Sequence, residues 1–279
     1  MALVPFPSQT RSDDESENLP VKPGGFSPFG EDEEPGEGRM TFLEHLDELR
    51  KRITHAVGGL LVGFIIAFAF IGRVQDFIYQ RLTKDIPEGH LIFTEPGEGF
   101  MLMIKMAALT GVLIASPYIM LQVWLFIAPG LYAKEKKLAI PFVVSSSLLF
   151  VAGAAFSHYV VFPAAWAFFA SFSNEYISFT PRIDPVFGMY VKLMLGIGLT
   201  FQLPVLMFVL ARLGIVTAGF LLRNFKYAVL LIFIAAAVIT PDGNPFNQML
   251  VGGSMVVLYL FGLAAVWLFG KSKKPDQDE

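Results

Sequence analysis

Glu48 and Glu135 are the two carboxylates best placed to do chemistry in this chain. Glu48 lies in the run His45-Leu-Asp-Glu-Leu-Arg-Lys-Arg52, which leads straight into 19 uncharged residues from Ile53 to Ile71. Glu135 stands among Lys134, Lys136 and Lys137 in a short link between two long apolar stretches. A carboxylate in either place is an acceptor for cations, above all for a guanidinium, whose planar fork matches two carboxylate oxygens. Spacing alone leaves a plainer reading open. Asp47 with Lys51, and Glu48 with Arg52, stand four apart on a helix, where opposite charges pair with each other for about 0.2–0.5 kcal/mol. Glu135 on the same grounds is an ordinary surface residue.

Few other polar groups interrupt the apolar stretches. Lys105 and Lys192 lie near span ends, where a lysine stem reaches back to the interface. His55 and His158 also lie near span ends. Gln202 is deeper and two residues before Pro204, and an amide in hydrocarbon requires partners. The sequence holds no HExxH, no G-x-S-x-G and no nucleotide loop, since Gly270-Lys271-Ser272 lacks the upstream glycine. With no cysteine in 279 residues, disulfides and thiol nucleophiles are excluded as well.

The elements that must position these groups are membrane helices. Hydrophobic residues make up 54% of the chain and charged ones 16%, and a mean hydropathy of +0.57 points to lipid as the solvent. The first uncharged run is long enough at 1.5 Å per residue to cross about 30 Å of hydrocarbon. Further runs cover Met106–Ala128, Leu138–Phe162, Val186–Leu210, Tyr227–Thr240 and Phe246–Phe269, which predicts six spans. The fifth offers only about 20 Å of helix, so it forms a short final hairpin with the sixth. Thirteen lysines and arginines fall on the side of the amino terminus against four opposite, which predicts both termini in the cytoplasm. Residues 1–39 carry nine acidic residues, six prolines and no apolar period, and read as a disordered acidic cytoplasmic tail. Residues 40–270 form the membrane domain and 271–279 a second tail.

Local patterns refine that outline. Thr41 and Glu44 make a capping box, and Leu43, Leu46, Leu49 and Ile53 an apolar face, so an amphipathic helix runs into span one. Val74, Phe77, Ile78 and Leu82 predict an interfacial helix outside it. The aromatics from Trp166 to Phe179 suggest a stretch resting among headgroups. Pro117 and Pro204 are expected to kink spans two and four. Gly59 and Gly63 form a small-xxx-small pair that more often serves packing inside a bundle than a dimer seam.

Five segments carry a family resemblance: HLDELRKR (45–52), SPYIMLQVWLFIAPGLYAKEKK (116–137), VVSSSLLFVAGAAFSHYVVFP (143–163), FQLP (201–204) and ITPD (239–242). Together they resemble TatC, the multispanning subunit of the twin-arginine protein translocase, from about Met40 to Lys274. The resemblance implies a multi-pass protein of the bacterial inner membrane that receives folded cargo bearing twin-arginine signal peptides. It implies that Glu48 and Glu135 each hold one signal arginine, with Arg50 and Leu46 assigned to the same binding site. The amide of Gln202 inside its span, with Pro204, is read as a contact for a partner helix, the alternative being that it satisfies the backbone carbonyl that Pro204 leaves unpaired. Asp242 is the polar site of the external hairpin. TatA- and TatB-type single-span proteins and membrane lipid are the implied partners, in a homo- or hetero-oligomer. Transport driven by the proton motive force calls for no cofactor, no metal and no nucleic acid.

Two positions depart from the family pattern: Gln202 stands where relatives often have Glu, and Arg81 where many have Pro. The rival from another class is a small-solute secondary transporter, which would want an unwound or charged midplane site and commonly shows repeats. Neither is visible here. A purely structural scaffold is the other rival, and it makes Glu48 and Glu135 dispensable.

Overall fold

The computed structural model describes residues 42–84, 91–127, 139–174, 176, 179–240 and 245–269. The acidic leader, Glu135, Asp242 and the tail 271–279 lie outside the described residues, as does Thr41 of the capping box. What is described is all-helical: α1 (Phe42–Ala69), α2 (Ile71–Thr83), α3 (Glu98–Ile127), α4 (Ala139–Phe156), a π-helical turn (Ser157–Val161), α5 (Phe162–Ala170), α6 (Ile183–Thr200), α7 (Leu203–Arg212), α8 (Ala218–Arg223), α9 (Phe225–Ile239) and α10 (Pro245–Phe269). Five helical stretches are long and apolar enough to cross a membrane, and α9 is a shorter apolar helix. The chain is a multi-pass membrane protein.

α1 and α3 run antiparallel, and their contacts keep one register from end to end. His45 stacks on Phe126, Arg52 reaches Gln122, Gly59 meets Tyr118 and Gly63 meets Gly111. The two glycines of α1 are packing positions inside the bundle. A Cβ on Gly63 would stand 2.5 Å from the Gly111 carbonyl oxygen, and one on Gly111 would stand 2.8 Å from the Phe64 nitrogen. Backbones this close let dispersion contacts accumulate where no hydrophobic force separates helix from lipid.

Each proline has its own consequence. Pro117 sits inside an unbroken α3, because the Ser116 hydroxyl donates to the Leu113 carbonyl (2.8 Å) that Pro117 cannot serve. Pro204 instead ends one helix and starts another: α6 stops at Thr200, residues 201–202 form a turn, and Pro204 occupies the first turn of α7. At Pro163 the register slips, with the Phe162 N–H bonded to the Ser157 carbonyl across a π turn.

Two sequence expectations need correction. The helix of the third apolar run does not end at Phe162 but continues through α5 to Ala170, and Trp166 is core there, 2% exposed and stacked on Phe162 with Phe179 edge-on. Burial wins at Trp166 because Ala165 and Trp166 continue the buried face of the π turn, whereas Phe172 and Tyr176 further along the run are exposed. α2 is a helix as expected and runs through Arg81, but Ile78 and Leu82 are buried in the main core rather than merely resting at an interface. At this end, segment 91–98 is tied to the start of α6: the Ile92 carbonyl accepts from the Ile183 N–H (2.9 Å), and buried Glu98 pairs with Arg182 while accepting from the Thr94 N–H (2.9 Å).

Candidate functional site

The first turns of α1 stand at the end of the bundle where the basic residues gather. A stripe that carries Glu48 and Arg52 turns toward α3, while most of the apolar face turns away: Leu43, Leu46 and Ile53 are exposed, whereas Glu48, Leu49 and Arg52 are half-buried. His45, Glu48 and Arg52 recur at three and four residues, so one stripe meets α3. Arg52 is the hub. Its Nε donates to Glu48 Oε1 at 2.6 Å, a second guanidinium nitrogen pairs with the same oxygen, and its other arm makes a longer contact of 3.5 Å with Gln122 Oε1.

Glu48 Oε2 accepts no hydrogen bond among the described residues. The carboxylate thus holds a guanidinium through one oxygen, the other having no partner among the described residues. Of the two pairs the spacing suggested, Glu48 with Arg52 forms, and Asp47 with Lys51 forms none among the described residues. Arg50 and Leu46, two residues to either side of Glu48 in sequence, are exposed and do not share its face of α1. Glu135 lies outside the described residues, so nothing here places it against Glu48.

Gln122 was not singled out from sequence, yet it is 5% exposed and faces the Arg52 guanidinium. The signal that finds it is the one that found Gln202, an amide inside an apolar run. Beneath it Trp124 packs on Phe142, with Val205 and Val209 of α7 completing a small core that fixes this end of α3. From Thr54, six residues or about 9 Å beyond Glu48 on α1, an apolar groove of about 560 Å³ opens between α1 and α3, floored by Gly58, Gly59 and Gly63 and bounded by Ile114 and Tyr118.

Gln202 caps the break between α6 and α7. Its Nε2 donates to the Ser146 carbonyl of α4 at 3.0 Å, and buried Ser146 turns its own hydroxyl back to the Phe142 carbonyl at 2.7 Å. Pro204 abuts α10, where a Cβ on Gly262 would come within 3.0 Å of its Cα. Both residues therefore have packing roles within the chain. Gln202 is only half-buried, and its side-chain Oε1 accepts no hydrogen bond among the described residues.

The family described as Sec-independent protein translocase protein (TatC) matches residues 44–253, three quarters of the sequence and all the helices around this site. The chain belongs to the TatC family. Its relatives include the TatC proteins of Koribacter versatilis, 37% identical over 82% of this chain and 86% of that protein, and of Desulforapulum autotrophicum, 36% identical over 87% and 90%. A crystal structure of the twin-arginine translocase receptor TatC superposes with a TM-score of 0.71 at 32% identity, covering 82% of this chain and all of that one. As a TatC-family chain this is a membrane-embedded subunit of a Sec-independent protein translocase, and the α1/α3 end described above belongs to the shared fold.

Proposed function

We propose that this chain is the receptor subunit of a twin-arginine translocase in the bacterial inner membrane. Six spans with both termini in the cytoplasm put the basic end, and hence Glu48 and Glu135, where a signal peptide arrives. Each carboxylate takes one signal arginine, with Arg50 and Leu46 bordering the peptide. TatA- and TatB-type partners join at other faces, and the proton motive force drives passage of the folded cargo.

One observation carries this reading: Glu48 already holds a guanidinium, that of Arg52, with Oε2 unpartnered among the described residues. A half-buried carboxylate at a membrane face is costly to leave unpaired, and a charge-assisted fork is the chemistry that satisfies it. The groove of about 560 Å³ beginning at Thr54 lies in line with the site along α1 and is lined almost wholly by apolar surface, which suits the apolar segment following a pair of arginines. A midplane solute site, which the transporter reading needs, has no counterpart among the described residues.

Photocrosslinking tests the placement. A photoreactive residue at Leu46 should capture a twin-arginine signal peptide in native membranes, and one at Gly58 should capture its apolar segment. Capture at neither, with capture on α9 or α10 instead, would contradict the proposed site.

A further inference from the structure

The opposite end of the bundle carries two lysines with no part in the signal site. Lys105 of α3 and Lys192 of α6 line one apolar cleft of about 530 Å³, walled by Leu61 and Phe64 of α1, Val112 of α3 and Leu195 of α6. Lys105 is ion-paired with Asp184. Lys192 is exposed and makes neither a hydrogen bond nor an ion pair among the described residues.

Depth decides what such a lysine can reach. The stretches Glu98–Ile127 and Ile183–Arg212 each have 30 residues, about 45 Å at 1.5 Å per residue, the second interrupted only by the turn at 201–202, which matches a bilayer with its headgroup layers. Lys105 is seven residues from the end of its stretch and Lys192 nine, or about 10 and 14 Å. A headgroup layer of roughly 7 Å on each side then leaves both Cα atoms about 3–7 Å inside the hydrocarbon boundary. From there a four-carbon stem brings an ammonium to the phosphate level while its carbons stay in the cleft.

We propose that this cleft is a binding site for one anionic phospholipid, its phosphodiester on Lys192 beside Lys105 and an acyl chain between α1, α3 and α6. The free charge of Lys192 supplies the complementarity, since Asp184 answers only Lys105. Apart from the two lysines the walls are apolar, and a hydrocarbon chain is an occupant that leaves no polar group unsatisfied. The proposal needs membrane embedding and is independent of signal-peptide binding.

Native mass spectrometry of the purified full-length protein tests it, comparing dioleoylphosphatidylglycerol with dioleoylphosphatidylcholine. The wild type should hold the anionic lipid at least fivefold more tightly. That preference should fall below twofold in Lys192→Gln, survive in Lys192→Arg, and be untouched by Lys226→Gln at the far end of the bundle. Glycerol phosphate, with no acyl chain, should fail to displace the lipid. Equal binding of the two lipids by the wild type would overturn the site, as would displacement by glycerol phosphate. A full preference retained by Lys192→Gln would overturn it too and leave that lysine for a carboxylate on a neighbouring helix. If Lys192→Gln cannot be purified, Lys192→Met, with a stem of similar length, gives the same readout.

Discussion

Arg52 and Glu48 form an ion pair one helical turn apart, through a single carboxylate oxygen. An incoming arginine can donate to Oε2 directly, but a bidentate fork also takes Oε1, which Arg52 holds, so Arg52 competes for the second half of that fork. An i,i+4 pair on a helix is worth about 0.2–0.5 kcal/mol, so displacing it lowers affinity by about twofold at most. Arg52→Gln should accordingly raise twin-arginine peptide affinity about twofold in a fluorescence-anisotropy titration. A tenfold loss would show that Arg52 positions Glu48 and does not compete for it.

Gly63 of α1 lies directly against the backbone of α3. Gly63→Ala puts a methyl 2.5 Å from the Gly111 carbonyl oxygen, a backbone atom that cannot step aside without moving α3. Overpacking of this kind costs about 1–3 kcal/mol, so the thermal midpoint in detergent should fall by several degrees. Gly58→Ala one turn earlier meets nothing within 4 Å and should leave the midpoint unchanged or slightly raised. Equal midpoints for the two variants would disprove the close approach.

Gln202 ties the α6/α7 break to α4 through the Ser146 carbonyl. Interhelical hydrogen bonds in membranes are worth roughly 0.6–2 kcal/mol, so Gln202→Leu should lower stability modestly and leave signal-peptide affinity intact. We propose that the carbonyl oxygen of the same amide meets a TatA-type helix, so partner crosslinking and cargo export should fall in Gln202→Leu and persist in Gln202→Glu. Full export by Gln202→Leu would restrict the residue to its bond with Ser146.

Topology is testable without background because the chain has no cysteine. Single cysteines at Ser173 and Ser272 should react with an impermeant thiol reagent from outside and only from inside, respectively. External labelling at Ser272 would make the short helix α9 re-entrant and remove one span.

Much of the bundle was legible because lipid imposes one strong rule, a long uncharged run per crossing, and the five long helices follow it. The close pair Gly59 and Gly63 was legible for a similar reason, since only small side chains let membrane helices approach. Rotation of the first turns of α1 was not. Leu43, Leu46, Leu49 and Ile53 read as one apolar face without showing what it meets, and all but Leu49 are exposed, because the stripe of His45, Glu48 and Arg52 packs on α3 instead. Glu98 with Arg182 was equally hidden, since 84 residues separate partners that only the fold brings together. Trp166 misled for the opposite reason, as tryptophan suits both a headgroup layer and a core.

The most direct measurement is the affinity of a twin-arginine signal peptide for the purified protein and for the Glu48→Ala, Glu135→Ala double variant. Removing the partner of a charge-assisted hydrogen bond costs about 1.5–3 kcal/mol, so each single substitution should weaken binding about tenfold or more and the double variant further. Replacing either peptide arginine by lysine should also weaken binding to the wild type, because a point charge lacks the fork. Wild-type affinity in the double variant would contradict the assignment of this end of the bundle as the signal-peptide site.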